Sequence, residues 1–230
     1  MEKIKKALGL IDPASVLDLC TGTGQFIHIM KESFHSNTDI TGIDIDENAL
    51  SEAEKQFPGA KFLPMPADKI TFADDSFEAV SISRGLHHLD NVERVIAGVR
   101  RVLKKRGYFI VNEMYADQQN EKQQTSVLFH HLRVDIDRYL GIVHNYTFKR
   151  QKIIEWFNID YWELLEIFDY VPTEKKNVPD MISKYRETID RINDKKQREH
   201  FNSRLEELIE RIETTGIGNP STLLVIARKN

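Results

Sequence analysis

Apolar positions in the first 115 residues fall into short runs closed by turn residues, with helical spacing between the runs. Val16-Leu17-Asp18-Leu19 is one such run, the pattern of a central parallel strand buried on both faces. A glycine-bearing turn follows, then a helix over about Phe26 to Phe34. Residues 39–46 read as a second strand ending in acids, and Asp46 or Glu47 opens a helix stopped by Pro58-Gly59. Ala60–Leu63 is a short third strand, and Phe77–Ser83 alternates into a fourth. Asp90 and Glu93 form a capping box for a helix reaching Lys105, and Gly107 separates it from a fifth strand, Tyr108–Glu113. Strands alternating with helices at this spacing predict an α/β fold around a parallel, doubly wound sheet.

The second half departs from this alternation. Leu128, Leu132, Ile136 and Leu140 recur at four-residue steps and predict a core-facing helix stripe. Phe148–Phe157 reads as a helix, Trp162–Val171 as a sixth strand and Thr222–Ala227 as the last. Residues 180–213 are helical, with stripes at Ile182, Tyr185, Ile189, Ile192 and at Phe201, Leu205, Leu208, Ile212. The polar stretch Asn193–His200 between them predicts a helix pair or a helix projecting into solvent. Glu187–Arg191, Asp194–Arg198 and Glu207–Arg211 are expected i,i+4 ion pairs.

The chain has 230 residues, 40% hydrophobic and 30% charged, enough for a core and for solubility. No apolar stretch approaches membrane-spanning length, and the charged N-terminus lacks the apolar region of a signal peptide. One cysteine excludes an internal disulfide framework, so a cytoplasmic protein is expected. Net charge −4 argues against nucleic acid as a partner. Residues 181–213 carry eight Lys/Arg and eight Asp/Glu, so this segment is no basic arm. The basic run Arg100-Arg101 with Lys104-Lys105-Arg106 is expected to complement a helix C-terminus.

Candidate chemistry collects beyond the carboxyl ends of the strands, where open parallel sheets bind ligands. Gly22 and Gly24 can take positive φ and leave backbone N–H groups bare, and the next helix directs its amides at the same spot. Asp44 lies 20 positions after Gly24, the distance at which an acid reaches a ribose diol; its other use would be to cap the next helix. Both features suit a nicotinamide dinucleotide or another adenosine ligand. The dinucleotide fingerprint, however, needs a third glycine where Ile27 stands. The pairs His87/His88 and His130/His131 lack a carboxylate at metal-ligand spacing, so no metal is expected.

Four motifs in order make the chain resemble the class I S-adenosylmethionine-dependent methyltransferases, especially the small-molecule group of ubiquinone/menaquinone type. They are Val16 to Gly24, Thr41-Gly42-Ile43-Asp44-Ile45, Phe72 to Glu78, and Leu86-His87-His88-Leu89 with Leu103 to Gly107. The resemblance is continuous over residues 1–115, and Tyr146-Thr147-Phe148 continues it. It implies a Rossmann-like seven-stranded sheet with the last strand antiparallel, plus helical insertions. Residues 1–115 would be the cofactor-binding half and 116–146 a helical lid. Residues 147–171 and 220–230 would complete the sheet, and 172–219 would form a lid or a homodimer surface.

The resemblance also implies roles at matching positions. Asp18 would orient the glycine turn or meet the cofactor's amino group, and Gly22 and Gly24 would let the backbone approach its methionine part. Asp44 would take the ribose hydroxyls, Ile45 would pack on adenine and the Ala67 N–H would reach the ring. Ser83 and Arg84 would line the path to the methyl. Cys20 stands where the family usually has its first glycine, and Pro66 where it usually has an acid, which passes adenine recognition to Asp68 or water. A sulfonium methyl is already activated, so alignment is the main task; where the acceptor must lose a proton, His87, His88 and Tyr115 are the candidate bases. One of the two adjacent histidines can equally be a packed turn residue. Tyr115, His130, His131, Arg133 and Tyr139 are the candidate acceptor-facing side chains. The expected activity is therefore methyl transfer from S-adenosyl-L-methionine to an O, N or C nucleophile of a small molecule, leaving S-adenosyl-L-homocysteine. A regulatory relative that keeps only the fold, and an RNA or protein methyltransferase, are the competing readings.

Overall fold

The computed structural model describes residues 2–34 and 37–230. Its elements in chain order are α1 (Glu2–Leu8), β1 (Ser15–Leu19), α2 (Gln25–Lys31), β2 (Asp39–Asp44), α3 (Glu47–Gln56), β3 (Lys61–Pro64), β4 (Phe77–Ser83) and α4 (Val92–Val102). Then come β5 (Leu103–Met114), α5 (Glu121–Tyr139), α6 (Arg150–Glu155), β6 (Trp162–Tyr170), α7 (Val178–Asp190), α8 (Lys195–Thr215) and β7 (Thr222–Lys229). Short 3-10 turns occupy Ala67–Lys69 and Leu86–His88.

The seven strands form one sheet in the order β3-β2-β1-β4-β5-β7-β6, with its last strands antiparallel, as the family resemblance implied. β1 pairs in parallel with β2 on one side and β4 on the other, so the direction of winding reverses between β1 and β4. That reversal opens a crevice at their carboxyl ends. β3 and β6 form the borders of the sheet. β6 leaves Leu164, Leu165 and Ile167 exposed.

Two compact units divide the chain: residues 1–113 with 151–170 and 223–230, and residues 114–150 with 171–222. In the first, Ile4 and Leu8 of α1 and Phe26, Ile27 and Met30 of α2 pack on Val16, Ile40, Ala79, Ile110, Leu224 and Ile226 of the sheet. Phe109 of β5 stacks on Trp162 and Phe157, with ring centroids 5.4 and 5.6 Å away. In the second unit, Phe129, Leu132 and Ile136 of α5 pack against Ile189, Ile192, Phe201 and Leu205 of the α7–α8 region. The predicted helix pair is thus present, and Asp194 opens its second member by accepting from the Gln197 N–H.

Local expectations are corrected in four places. The cap of α4 is Asn91, which accepts from the Arg94 N–H at 2.8 Å, in place of Asp90. α4 ends at Val102 and β5 begins at once, because the register slips between Phe77 and Ala79 and lets Leu103 pair with Phe77. Lys104, Lys105 and Arg106 therefore lie on a strand and cap no helix. Lys104 instead pairs with Glu78, and Arg101 grips the Ile70 and Phe72 carbonyls and Asp74. On α5, Leu128 is half-buried and Leu140 exposed, because steps of four drift around a helix of 3.6 residues per turn; Phe129 takes the inward place. Finally, Arg211 turns to Glu121 of α5 and Arg198 to the Ile192 carbonyl, so neither side chain goes to the helical neighbour expected for it.

Candidate active site

The crevice is built around the turn leaving β1. Asp18 ends up 1% exposed because both faces of β1 are covered. Its carboxylate accepts from Thr21 Oγ at 2.7 Å and Ser81 Oγ at 2.6 Å, joining the turn to β4. Burial lifts the Asp18 carboxyl from 3.8 to about 6, against the lowering effect of those two hydroxyls. The folded state therefore holds this proton more tightly than the unfolded chain. The stability it contributes is complete below about pH 4 and is lost as pH rises through about 6. Asp18→Asn removes the titration. Between about pH 4 and pH 7, wild type should lose on the order of 3 kcal/mol relative to D18N, read from urea unfolding across that range.

Cys20 and Gly22 carry φ of 51° and 52°, and Gly24 carries 83°. Cys20, at the position where the resembling family usually has glycine, thus holds a glycine-like backbone at some conformational cost. Its thiol is pushed up to about 12 by burial and by the charges of Asp44, Asp18 and Glu113. Gly24 has a steric reason for its identity: a Cβ there would lie 2.6 Å from the Phe57 ring. At Gly22 a Cβ would meet nothing within 4 Å, so the backbone is bare on an open side.

Asp44 closes the turn from the neighbouring strand. Its Oδ2 accepts from the Gly22 N–H at 2.8 Å and its Oδ1 from the Asp46 N–H at 3.0 Å. Asp46 itself caps α3, accepting from Asn48 and Ala49. Capping therefore falls to Asp46, and Asp44 keeps lone pairs for a ligand. Beside it, Ile45 is 77% exposed, an apolar side chain left bare at a strand end. Ala67 begins its 3-10 turn buried, whereas Asp68 leans toward Arg94 at 3.8 Å.

The end of β4 is tied to β5. Ser83 Oγ accepts from Asn112 Nδ2 at 2.8 Å, Tyr170 donates to Asn112 Oδ1 at 2.7 Å, and the Arg84 N–H donates to the Asn112 carbonyl. Arg84 takes φ 51° with its side chain exposed. Buried Glu113 accepts from the Leu86 N–H and lies 2.9 Å from His87 Nδ1. His87 is buried by this anchorage and His88 is exposed. Thr21 and Ser81 are the residues to which motif reading gives no role. Their only sequence signal is polarity inside or beside apolar strand runs.

Tyr115, His130, His131, Arg133 and Tyr139 belong to the second unit. His131 shares a 2.8 Å hydrogen bond with Thr147 Oγ, and burial holds its pKa below the usual histidine range. Arg133 pairs with Asp137 at 2.7 Å. Tyr139 packs edge-on against Phe201, and Tyr115 is buried.

Residues 17–111, which contain most of β1, all of β2, β3 and β4 and most of β5, match the family model described as a methyltransferase domain. This stretch is therefore similar to methyltransferase domains. A demethylmenaquinone methyltransferase of Thermotoga maritima is 34% identical to this chain over 104 residues. That match covers 45% of this chain and 45% of the relative, so the chain spans about half the length of the curated relatives it matches. Over nearly the full length the fold is similar to an S-adenosylmethionine dependent methyltransferase from Mesorhizobium loti. The TM-score is 0.60 at 18% identity, covering 98% of this chain and 96% of that one. The cyclase SpnF is also similar in fold, with TM-score 0.64 at 16% identity, covering 99% of this chain and 80% of that one. The fold around a methyltransferase domain thus does not by itself name the reaction.

Proposed function

We propose that the protein is an S-adenosylmethionine-dependent methyltransferase acting on a small-molecule nucleophile by in-line displacement. The observation that carries this reading is the Asp44–Gly22 contact beside exposed Ile45. One carboxylate braces a bare glycine turn and still offers lone pairs to a diol, next to an apolar surface for a purine. The open side of Gly22, where a Cβ would find empty space, suits the methionine part of the cofactor. The bound cofactor supplies a sulfonium methyl that needs no further activation.

The chain's own groups hold and align. Asp44 accepts from the ribose hydroxyls, Ile45 packs against adenine and the Ala67 N–H reaches the ring edge. Asp68, drawn toward Arg94, is a weaker adenine partner, and Pro66 offers none in the usual place. Ser83 and Arg84 border the methyl end. Of the two adjacent histidines, His87 is the better candidate base, because Glu113, 2.9 Å from its Nδ1, holds the ring in one orientation. The name of the Thermotoga maritima relative makes a quinone, in its oxidised and reduced forms, the first acceptor class to assay.

Calorimetric titration with S-adenosyl-L-homocysteine tests the reading directly. A dissociation constant of about 1–100 μM is expected, the range of ordinary metabolite sites. No heat and no thermal stabilisation at millimolar ligand would refute it. Binding without turnover on a broad acceptor panel would favour a regulatory role for the same fold.

A further inference from the structure

The second unit carries a feature that cofactor chemistry does not use. α5 ends in a Schellman turn: the Gly141 N–H donates to the Arg138 carbonyl, the Ile142 N–H donates to the Asp137 carbonyl, and Gly141 takes φ 80°. In such turns the residue after the glycine usually folds back onto an apolar partner in the last helical turn. Here that partner position is Asp137, a buried acid already bonded to His144 and Arg133. Ile142 is therefore turned outward, and Ile142 and Val143 are each 50% exposed.

The chain does not leave this apolar tip loose. His144 is buried on Asp137 at 2.7 Å, Arg138 donates to the His144 carbonyl and Tyr146 donates to Asp135. His131 holds Thr147. The result is a fixed knuckle exposing Tyr139, Leu140, Ile142, Val143 and Tyr146. Arg138 lies over the Tyr146 ring, 4.8 Å from its centroid.

Charge indicates what covers the knuckle. Residues 138–150 contain three cations and no acid, in a chain of net charge −4. A second copy docking through the same patch would set cations against cations. An anionic lipid surface satisfies both properties, with apolar side chains below, tyrosine hydroxyls at the boundary and cations among the headgroup phosphates. We propose that the knuckle Tyr139–Tyr146 docks the protein on an anionic lipid bilayer, with Ile142 and Val143 entering the acyl boundary and Arg138 and Lys149 facing the headgroups. This docking is independent of the methyl-transfer reading and is measured without cofactor.

The test is sedimentation of the full chain with vesicles of phosphatidylglycerol and phosphatidylcholine, compared with vesicles of phosphatidylcholine alone. Wild type should bind the anionic vesicles, and binding should weaken as salt is raised. Ile142→Asp/Val143→Asp should reduce binding by about tenfold or more, and the milder I142S/V143S pair by less, with both variants melting as wild type does. Three results would overturn the proposal: no vesicle binding by wild type, equal binding by the aspartate variant, or loss of self-association in place of loss of vesicle binding.

Discussion

Asp44→Ala should lower affinity for S-adenosyl-L-homocysteine by about 10- to 100-fold, the effect of removing charge-assisted hydrogen bonds of about 1.5–3 kcal/mol. Two losses combine. The diol loses its acceptor, and the Gly22 N–H, now held at 2.8 Å, loses the group that fixes the turn. Asp44→Asn separates them. An asparagine oxygen can still accept from Gly22, so the turn survives and the remaining deficit reports the ligand contact. Calorimetry on the three proteins reads both. Equal affinity in all three would place the cofactor elsewhere.

Glu113→Ala should cost about 3 kcal/mol of folding stability, in the range for stripping a buried carboxylate acceptor from two buried donors. The side chain of Glu113 is fully covered, and two bonds converge on it: the Leu86 N–H at 2.9 Å and His87 Nδ1 at 2.9 Å. Its removal strips the acceptor from both donors and releases the turn that follows β4. Urea denaturation measures the loss. Glu113→Gln keeps the side chain's shape and should cost less. Under the methyl-transfer reading it should also lower kcat while leaving affinity for S-adenosyl-L-homocysteine unchanged, because the carboxylate that orients the His87 ring is gone. A purely structural Glu113 would change stability and leave kcat of the folded protein where it was.

The sheet was legible in the sequence because its inner strands are buried on both faces and therefore read as apolar runs. β4 was found at its true limits for that reason. The junction of α4 and β5 was not, since Arg106 sits at φ 61° beside a register slip and breaks both periodicities at once. Asp44 could be singled out because a ligand-reaching acid lies at a set distance from a glycine turn. The anchoring role of Glu113 could not, because its partners are 26 and 27 residues away and meet it only once β4 and β5 pair. Among the acceptor-facing candidates, His131, Arg133 and Tyr139 have partners within their own unit: Thr147, Asp137 and Phe201. A sequence shows a side chain's chemistry but not whether the fold has already engaged it.

The two borders of the sheet bear on how the protein behaves when crowded. An open sheet edge is a template for strands of other chains, and sheet proteins survive by spoiling it. β3 is spoiled by brevity: it spans four residues and ends in Pro64, which has no N–H to donate. β6 is nine residues long and presents Leu164, Leu165 and Ile167 to water, the profile of an aggregation nucleus. It is interrupted by Glu163, Glu166 and Asp169, spaced so that two copies aligned head to tail about Glu166 would set Glu163 against Asp169. The acids of β6 thus stand where gatekeeper charges stand, so that a second copy meeting this greasy border brings like charges together.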